Sequence, residues 1–163
     1  MKKMEPKIIV TREIKLVGMR TKTTLNNSKT VSLWKQFMPK KKEIKNLMNN
    51  WHYSVQRYES DLKMEEFTPD IFFETSAAVE VKSFAEIPQD MESFVIQEGA
   101  YAVFMHRGAT DTFHKTADFI FNVWLPNSEY ELDNSRKHFE IMKEKYLGPD
   151  NQSSEEEVWV PIK

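Results

Sequence analysis

The chain holds few residues that could do chemistry. It has no cysteine, and its four histidines are His52, His106, His114 and His138. Without cysteine there is no thiol nucleophile, no Cys-ligated zinc site and no disulfide scaffold. No histidine stands in a metal-ligating spacing such as HExxH, and no triplet of carboxylates accompanies them, so neither a metal nor a cofactor is expected. His114 and Asp118, four residues apart, read as a helix-surface pair. Only 4 glycines are present, with no Walker loop and no GxSxG. The basic run Lys40-Lys41-Lys42 follows Pro39, where it solvates a surface or complements a helix C-terminus. What remains are 25 acidic and 20 aromatic residues, side by side in several stretches, Phe139-Glu140-Ile141 and Glu157-Val158-Trp159 among them, with nothing in their spacing alone to single out one. The two-residue period of a strand turns Glu157 and Trp159 to one side. A carboxylate beside aromatic rings in a largely dry groove offers a cation both charge pairing and ring faces. The alternative for both acids is an exposed strand charge, the usual state of Glu.

Positioning such groups takes a packed scaffold. A chain of 163 residues buries roughly 70% of its unfolded surface, enough for one domain or two small fused modules. Its 23 basic and 25 acidic residues leave a net charge of −2, whereas a nucleic-acid reader concentrates a basic excess on one face. Near the N-terminus, Ile8-Ile9-Val10 is too brief for a signal peptide or a membrane span. The segment reads as a mature cytoplasmic N-terminus.

Two stretches echo each other at an offset of 86 to 87 residues: Leu16–Arg20 with Ala102–Arg107, and Leu33–Pro39 with Ile120–Pro126. Tyr53-Ser54-Val55 falls on Phe139-Glu140-Ile141 at the same offset. The opening stretch of each half, Lys7 to Thr21 and Ser93 to Arg107, is rich in strand formers and predicts long or bent strands, with Gly18 and Gly99 as bulges or bends. Phe113, Ala117, Ile120, Phe121 and Trp124 recur at helical spacing between an N-cap at Thr110 or Asp111 and a stop at Pro126. The matching helix runs from Ser28 to Pro39, with a second helical piece around Ile44, Leu47 and Met48. Strands are predicted at Trp51–Ser60, Ile71–Ser83, Lys137–Tyr146 and Glu156–Ile162. The plan is β-α-β-β, twice.

The second half resembles the GyrI-like, AraC-type effector-binding domain. The resemblance rests on Tyr101–Gly108, on Trp124-Leu125-Pro126-Asn127-Ser128 with Tyr130-Glu131-Leu132, on Phe139-Glu140-Ile141 and on Glu157–Ile162. It implies an α+β fold with a pseudo-twofold axis: a tandem β-α-β-β repeat whose joint antiparallel sheet carries two main helices flanking a ligand groove. One effector-binding domain would span residues 1–163, with module 1 at 7–83 and module 2 at 91–163. The resemblance also implies that Glu140 is a pocket carboxylate, that Glu157 is a second acid, and that Trp159 is an aromatic beside it. Met142 and Trp159 stand where relatives usually carry Tyr, which removes phenol hydroxyls and leaves adaptable apolar contact. Ser54 occupies the place of Glu140 in the first half, so the acidic end of the groove belongs to module 2. Trp34, Phe37, Phe121 and Trp124 pack helix on sheet and present edges able to line the groove; Tyr53, Tyr58, Tyr101 and Phe104 are candidates of the same kind.

The leading expectation is a free-standing cytoplasmic module that binds small hydrophobic, cationic, aromatic compounds, without enzymatic activity and without contact to DNA or membrane. No segment is left over for a DNA reader. The first alternative is a hydrolase of cyclopropane-type genotoxins with Glu140 as general base. The second is a protein-interaction role, as in gyrase inhibition, carried by loops such as Ser60 to Asp70.

Overall fold

The computed structural model describes residues 4–163, so the Met1–Lys3 part of the segment read as an N-terminus without a leader lies outside the described residues. Each of the two predicted opening strands is two strands: β1 (Lys7–Thr11) and β2 (Ile14–Thr23), then β5 (Glu92–Ile96) and β6 (Gly99–Arg107). Between these pairs lie α1 (Thr30–Lys40), β3 (His52–Arg57) and β4 (Phe73–Glu80). After β6 come α2 (Phe113–Asp118), a π-helical segment (Phe119–Trp124), the single turn α3 (Leu125–Asn127), β7 (His138–Met142) and β8 (Glu155–Pro161). None of these helices is long and apolar enough to cross a membrane.

All eight strands form one sheet in the order β1-β6-β8-β7-β3-β4-β2-β5, antiparallel throughout. Exchanging β1 with β5, β2 with β6, β3 with β7 and β4 with β8 reproduces this order in reverse. The halves meet at β3 and β7, and each lends its first strand to the other's outer edge.

Side-chain alternation divides the core between the two faces. On one face, the apolar residues of α1, Leu33 and Phe37, cover Val17, Ala77 and Val79 of β2 and β4. On the same face Ile120, Phe113 and Trp124 of the second helical stretch cover Ala102, Phe104, Val158 and Val160 of β6 and β8. The other face curls on itself without a helix, burying Leu16, Tyr53, Tyr101, Phe139, Ile141 and Trp159 against one another.

Several local readings are corrected. Pro39 lies inside α1, which runs on to Lys40 and then a 3-10 turn at Lys41–Glu43; with no N–H, Pro39 forgoes one intrahelical bond at the C-terminal end, where the helix tightens into the 3-10 turn. The second helical piece does not form: Ile44 is extended and Leu47 bridges to Val81, so these apolar residues close the end of the sheet. Neither Thr110 nor Asp111 caps the second helical stretch through its side chain, and the stretch ends one residue past Pro126, which lies in its last turn and does not stop it. Gly99 does mark the bend between β5 and β6, at φ +149. Gly18 marks no bulge, since the register runs on unbroken through it. It pairs with both Ala78 and Glu92, and a Cβ there would lie 2.7 Å from the Ala78 Cα and 2.8 Å from its Cβ. Gly18→Ala is expected to cost about 1–3 kcal/mol through overpacking, read as a lower urea midpoint at unchanged slope.

Candidate functional site

Between the two helix-covered areas, the neighbouring strands β3 and β7 leave a strip of sheet. Alternation presents His52, Ser54 and Gln56 there from β3, and His138, Glu140 and Met142 from β7. Register places Ser54 opposite Glu140 and His52 opposite Met142. Aromatic side chains stand around the strip. Trp34 of α1 meets the His52 ring edge-on at 6.1 Å, and Phe121 of the π-helical segment lies 6.2 Å from the His138 ring. Tyr58, just past β3, packs at 4.8 Å on His138 and at 5.2 Å on Phe73.

Glu140 is the chemically unusual member. Its Oε2 atom is buried and has no hydrogen-bond partner among the described residues, a state that costs free energy and is rare in folded proteins. Loss of water, and then repulsion from Glu156, push its carboxyl up to about 8. Burial likewise pushes Glu156 up, to about 7. Burial holds His138 neutral, down to about 3, with its Nε2 2.6 Å from Asn134 Oδ1. His52 is also shifted down, by burial and then by the Lys41 ammonium, which donates to its Nε2 at 2.9 Å. The strip therefore carries two carboxyls that resist ionisation, two histidines shifted toward the neutral form, and aromatic rings on both sides.

Of the residues singled out from the sequence, Glu140, Met142, Trp34 and Phe121 meet here, together with Tyr58. Glu157 and Trp159 do share a side, but it is the opposite face of the sheet: Glu140 pairs with Val158, so its face continues through Glu156, Val158 and Val160. On that opposite face the Trp159 indole N–H donates to Glu157 Oε1 at 3.0 Å. The Lys143 ammonium lies 2.9 Å from Glu157 Oε2 and 4.2 Å from the centre of the Trp51 ring. The combination of carboxylate and ring faces exists there, and the chain's own lysine fills it. Tyr53 and Tyr101 belong to the same curled core. The Tyr53 hydroxyl donates to buried Glu80 at 2.9 Å, and the Tyr101 hydroxyl donates to the Lys137 carbonyl at 2.8 Å. Phe37 is sealed under α1, and Phe104 is sealed under the second helical stretch with Trp124 edge-on at 5.2 Å. Glu156 went unrecognised in the sequence although it carries a signal: it stands two residues before Val158 in the alternation Val158, Val160, Ile162. Among the described residues no group of three or more His, Asp or Glu could hold a metal ion.

A family model described as "GyrI-like small molecule binding domain" matches residues 4–163. Among solved structures, SAV2435 bound to tetraphenylphosphonium is 16% identical, with 98% of this chain and 94% of that one covered, at a TM-score of 0.71. The EcmrR C-terminal domain is 15% identical, with 98% of each chain covered and a TM-score of 0.71. In the EcmrR–DNA complex the same likeness covers only 57% of the longer chain. A hydrolase from Listeria innocua is 12% identical, with 98% of this chain and 92% of that one covered, at a TM-score of 0.59. No curated protein matches the chain.

Glu140 sets a pH dependence of stability. Its folded carboxyl titrates near 8 against 4.5 for the free group, so between these values the native state holds a proton that the unfolded chain has lost. Stability is then fully present below pH 4.5 and falls as the pH rises toward 8. Between pH 5 and pH 9 the parent protein is expected to lose roughly 1–3 kcal/mol more than Glu140→Gln, seen as a steeper decline of Tm.

Proposed function

Because the chain belongs to the GyrI-like small molecule binding domain family, we propose that the small molecules it binds are hydrophobic aromatic cations, seated on the strip between the helices against Glu140. The observation that carries this reading is the buried, unpartnered Glu140 Oε2. A cation with apolar substituents offers that oxygen a counter-charge without asking it to return to water, and it offers Trp34, Tyr58 and Phe121 a surface to pack on. Glu156 adds a second negative charge once the pair ionises. A strongly hydrated small cation would gain less, since it must shed its own water to enter. The tetraphenylphosphonium held by SAV2435 is of the favoured chemistry.

The mechanism of capture follows from the titration of the pair. In the free protein near neutral pH the strip is largely uncharged. A bound cation stabilises the carboxylate form and expels a proton, so affinity rises with pH up to about 8 and by at most tenfold per pH unit for one proton. Titration calorimetry with tetraphenylphosphonium is expected to give saturable binding that is at least tenfold tighter at pH 8.5 than at pH 6. The heat should depend on the buffer's ionisation enthalpy, as proton release requires. Glu140→Gln should weaken binding at least tenfold, about 1.4 kcal/mol, and abolish the proton release. Absence of saturable binding across a panel of hydrophobic cations, or unchanged binding in Glu140→Gln, would remove this reading.

A second reading is favoured by the same carboxyl. A Glu titrating near 8 retains strong basicity in its ionised form and suits a general base that directs water onto a strained electrophilic ring. Incubation with a cyclopropane-bearing genotoxin and mass spectrometry for the water adduct tests it. Turnover well above Glu140→Gln supports the hydrolase; turnover equal to that variant eliminates it.

A further inference from the structure

On the sheet face opposite Glu140, a cavity of about 90 Å3 opens among β2, β3, β4, β5 and the residue that leads into β7. Its charges do not balance. Arg20, Arg57 and Lys137 face Glu74 and Glu92, leaving one positive charge in excess. Arg20 spans both acids, at 3.0 Å from Glu74 Oε2 and 3.1 Å from Glu92 Oε1. Arg57 reaches Glu74 only at 4.0 Å. Lys137 Nζ donates to the Val95 carbonyl at 3.2 Å and forms no salt bridge among the described residues. Burial and the two neighbouring guanidinium groups lower its affinity for a proton, so the ammonium sits where positive charge is crowded.

The floor supplies an independent observation. Ser76 is only 6% exposed and lines the cavity, and its hydroxyl, which still reaches solvent, forms no hydrogen bond with another described residue. Val55 and Phe94 complete the wall with apolar surface. A cavity of about 90 Å3 has room for one small oxyanion.

We infer that this cavity binds a small oxyanion, a carboxylate or a phosphate, with Lys137 and Arg57 as counter-charges and the Ser76 hydroxyl as donor. Charge-assisted hydrogen bonds from a half-buried ammonium and a guanidinium favour such a group strongly, and one negative charge balances the excess. The site shares no residue with the strip around Glu140, so its occupancy stands apart from the capture of cations there.

Amide chemical shifts followed by NMR at low ionic strength test the inference, with sodium acetate and sodium phosphate as probes and sodium chloride as the control for screening. Saturable shifts at Ser76, Phe94 and Lys137 with acetate, phosphate or both, and not with chloride, are expected, and the probe that saturates first identifies the class. Lys137→Met should weaken binding at least tenfold, whereas Lys115→Met, on the exposed side of α2, should leave it unchanged. Ser76→Ala keeps the fold's charges intact and is expected to lower affinity severalfold, so the test survives a poorly folding Lys137 variant. Shifts that never saturate, shifts equal to those with chloride, or equal affinity in Lys137→Met and Ser76→Ala would each overturn it.

Discussion

The pairing of β3 with β7 is the constraint on which the rest of the molecule depends. It joins the halves of the sheet at their centre and sets Ser54 directly opposite Glu140. A carboxyl is thereby fixed in the middle of an eight-stranded sheet, on a face whose flanks are covered by α1 and by the second helical stretch. A slip of one residue in this ladder would turn Glu140 into the curled core beside Tyr53 and Trp159 and expel Phe139 and Ile141 from it. Register is therefore held by the apolar residues of both faces at once, and the position of the acid follows from their packing.

The same geometry explains why the acid goes without a partner. Glu80, also buried, is satisfied by Arg12 at 2.6 Å, Tyr53 at 2.9 Å and Asn49 at 3.1 Å, and it locks the first half of the sheet. Glu140 has no comparable cage. Its neighbours on the strip are neutral or aromatic, and its charged neighbour Glu156 has the same sign. Two glutamates in one sheet thus differ in the company they keep: Glu80 is held by an Arg, a Tyr and an Asn, and Glu140 leaves its buried Oε2 without a hydrogen-bond partner among the described residues.

Much of this was legible in the sequence, because alternation and helical spacing are local properties. The main helices, most of the strands and the shared side of Glu157 and Trp159 follow from periods of 2 or 3.6 residues, the bend at Gly99 from the freedom of a glycine backbone, and the interest of Glu140 from the resemblance to a family rather than from any period. Which face Glu157 occupies does not follow, because a period of 2 fixes only relative orientation. Deciding it takes the cross-strand register of Glu140 with Val158, a contact 18 residues apart in the chain. The stretch at Ile44–Met48 failed for a related reason: its apolar spacing suits a helix, yet the bridge from Leu47 to Val81 draws it against the sheet. The cavity around Lys137 was invisible from sequence, since its charges come from five separate stretches that only the sheet order brings together.

The outermost strands carry a consequence of their own. β1 lies against β6 and β5 lies against β2, so each half of the chain is finished by a strand that belongs to the other. This is the connectivity of a strand-exchanged dimer written into a single polypeptide. Neither half closes its own edge, and an isolated half would present β2 or β6 bare to any strand able to pair with it. A cut in the loop between β4 and β5 would therefore yield two fragments that complete each other through three separate seams. Rotation of one helix-bearing half against the other has to be taken up by bending of the whole sheet, because no single seam can act as a hinge.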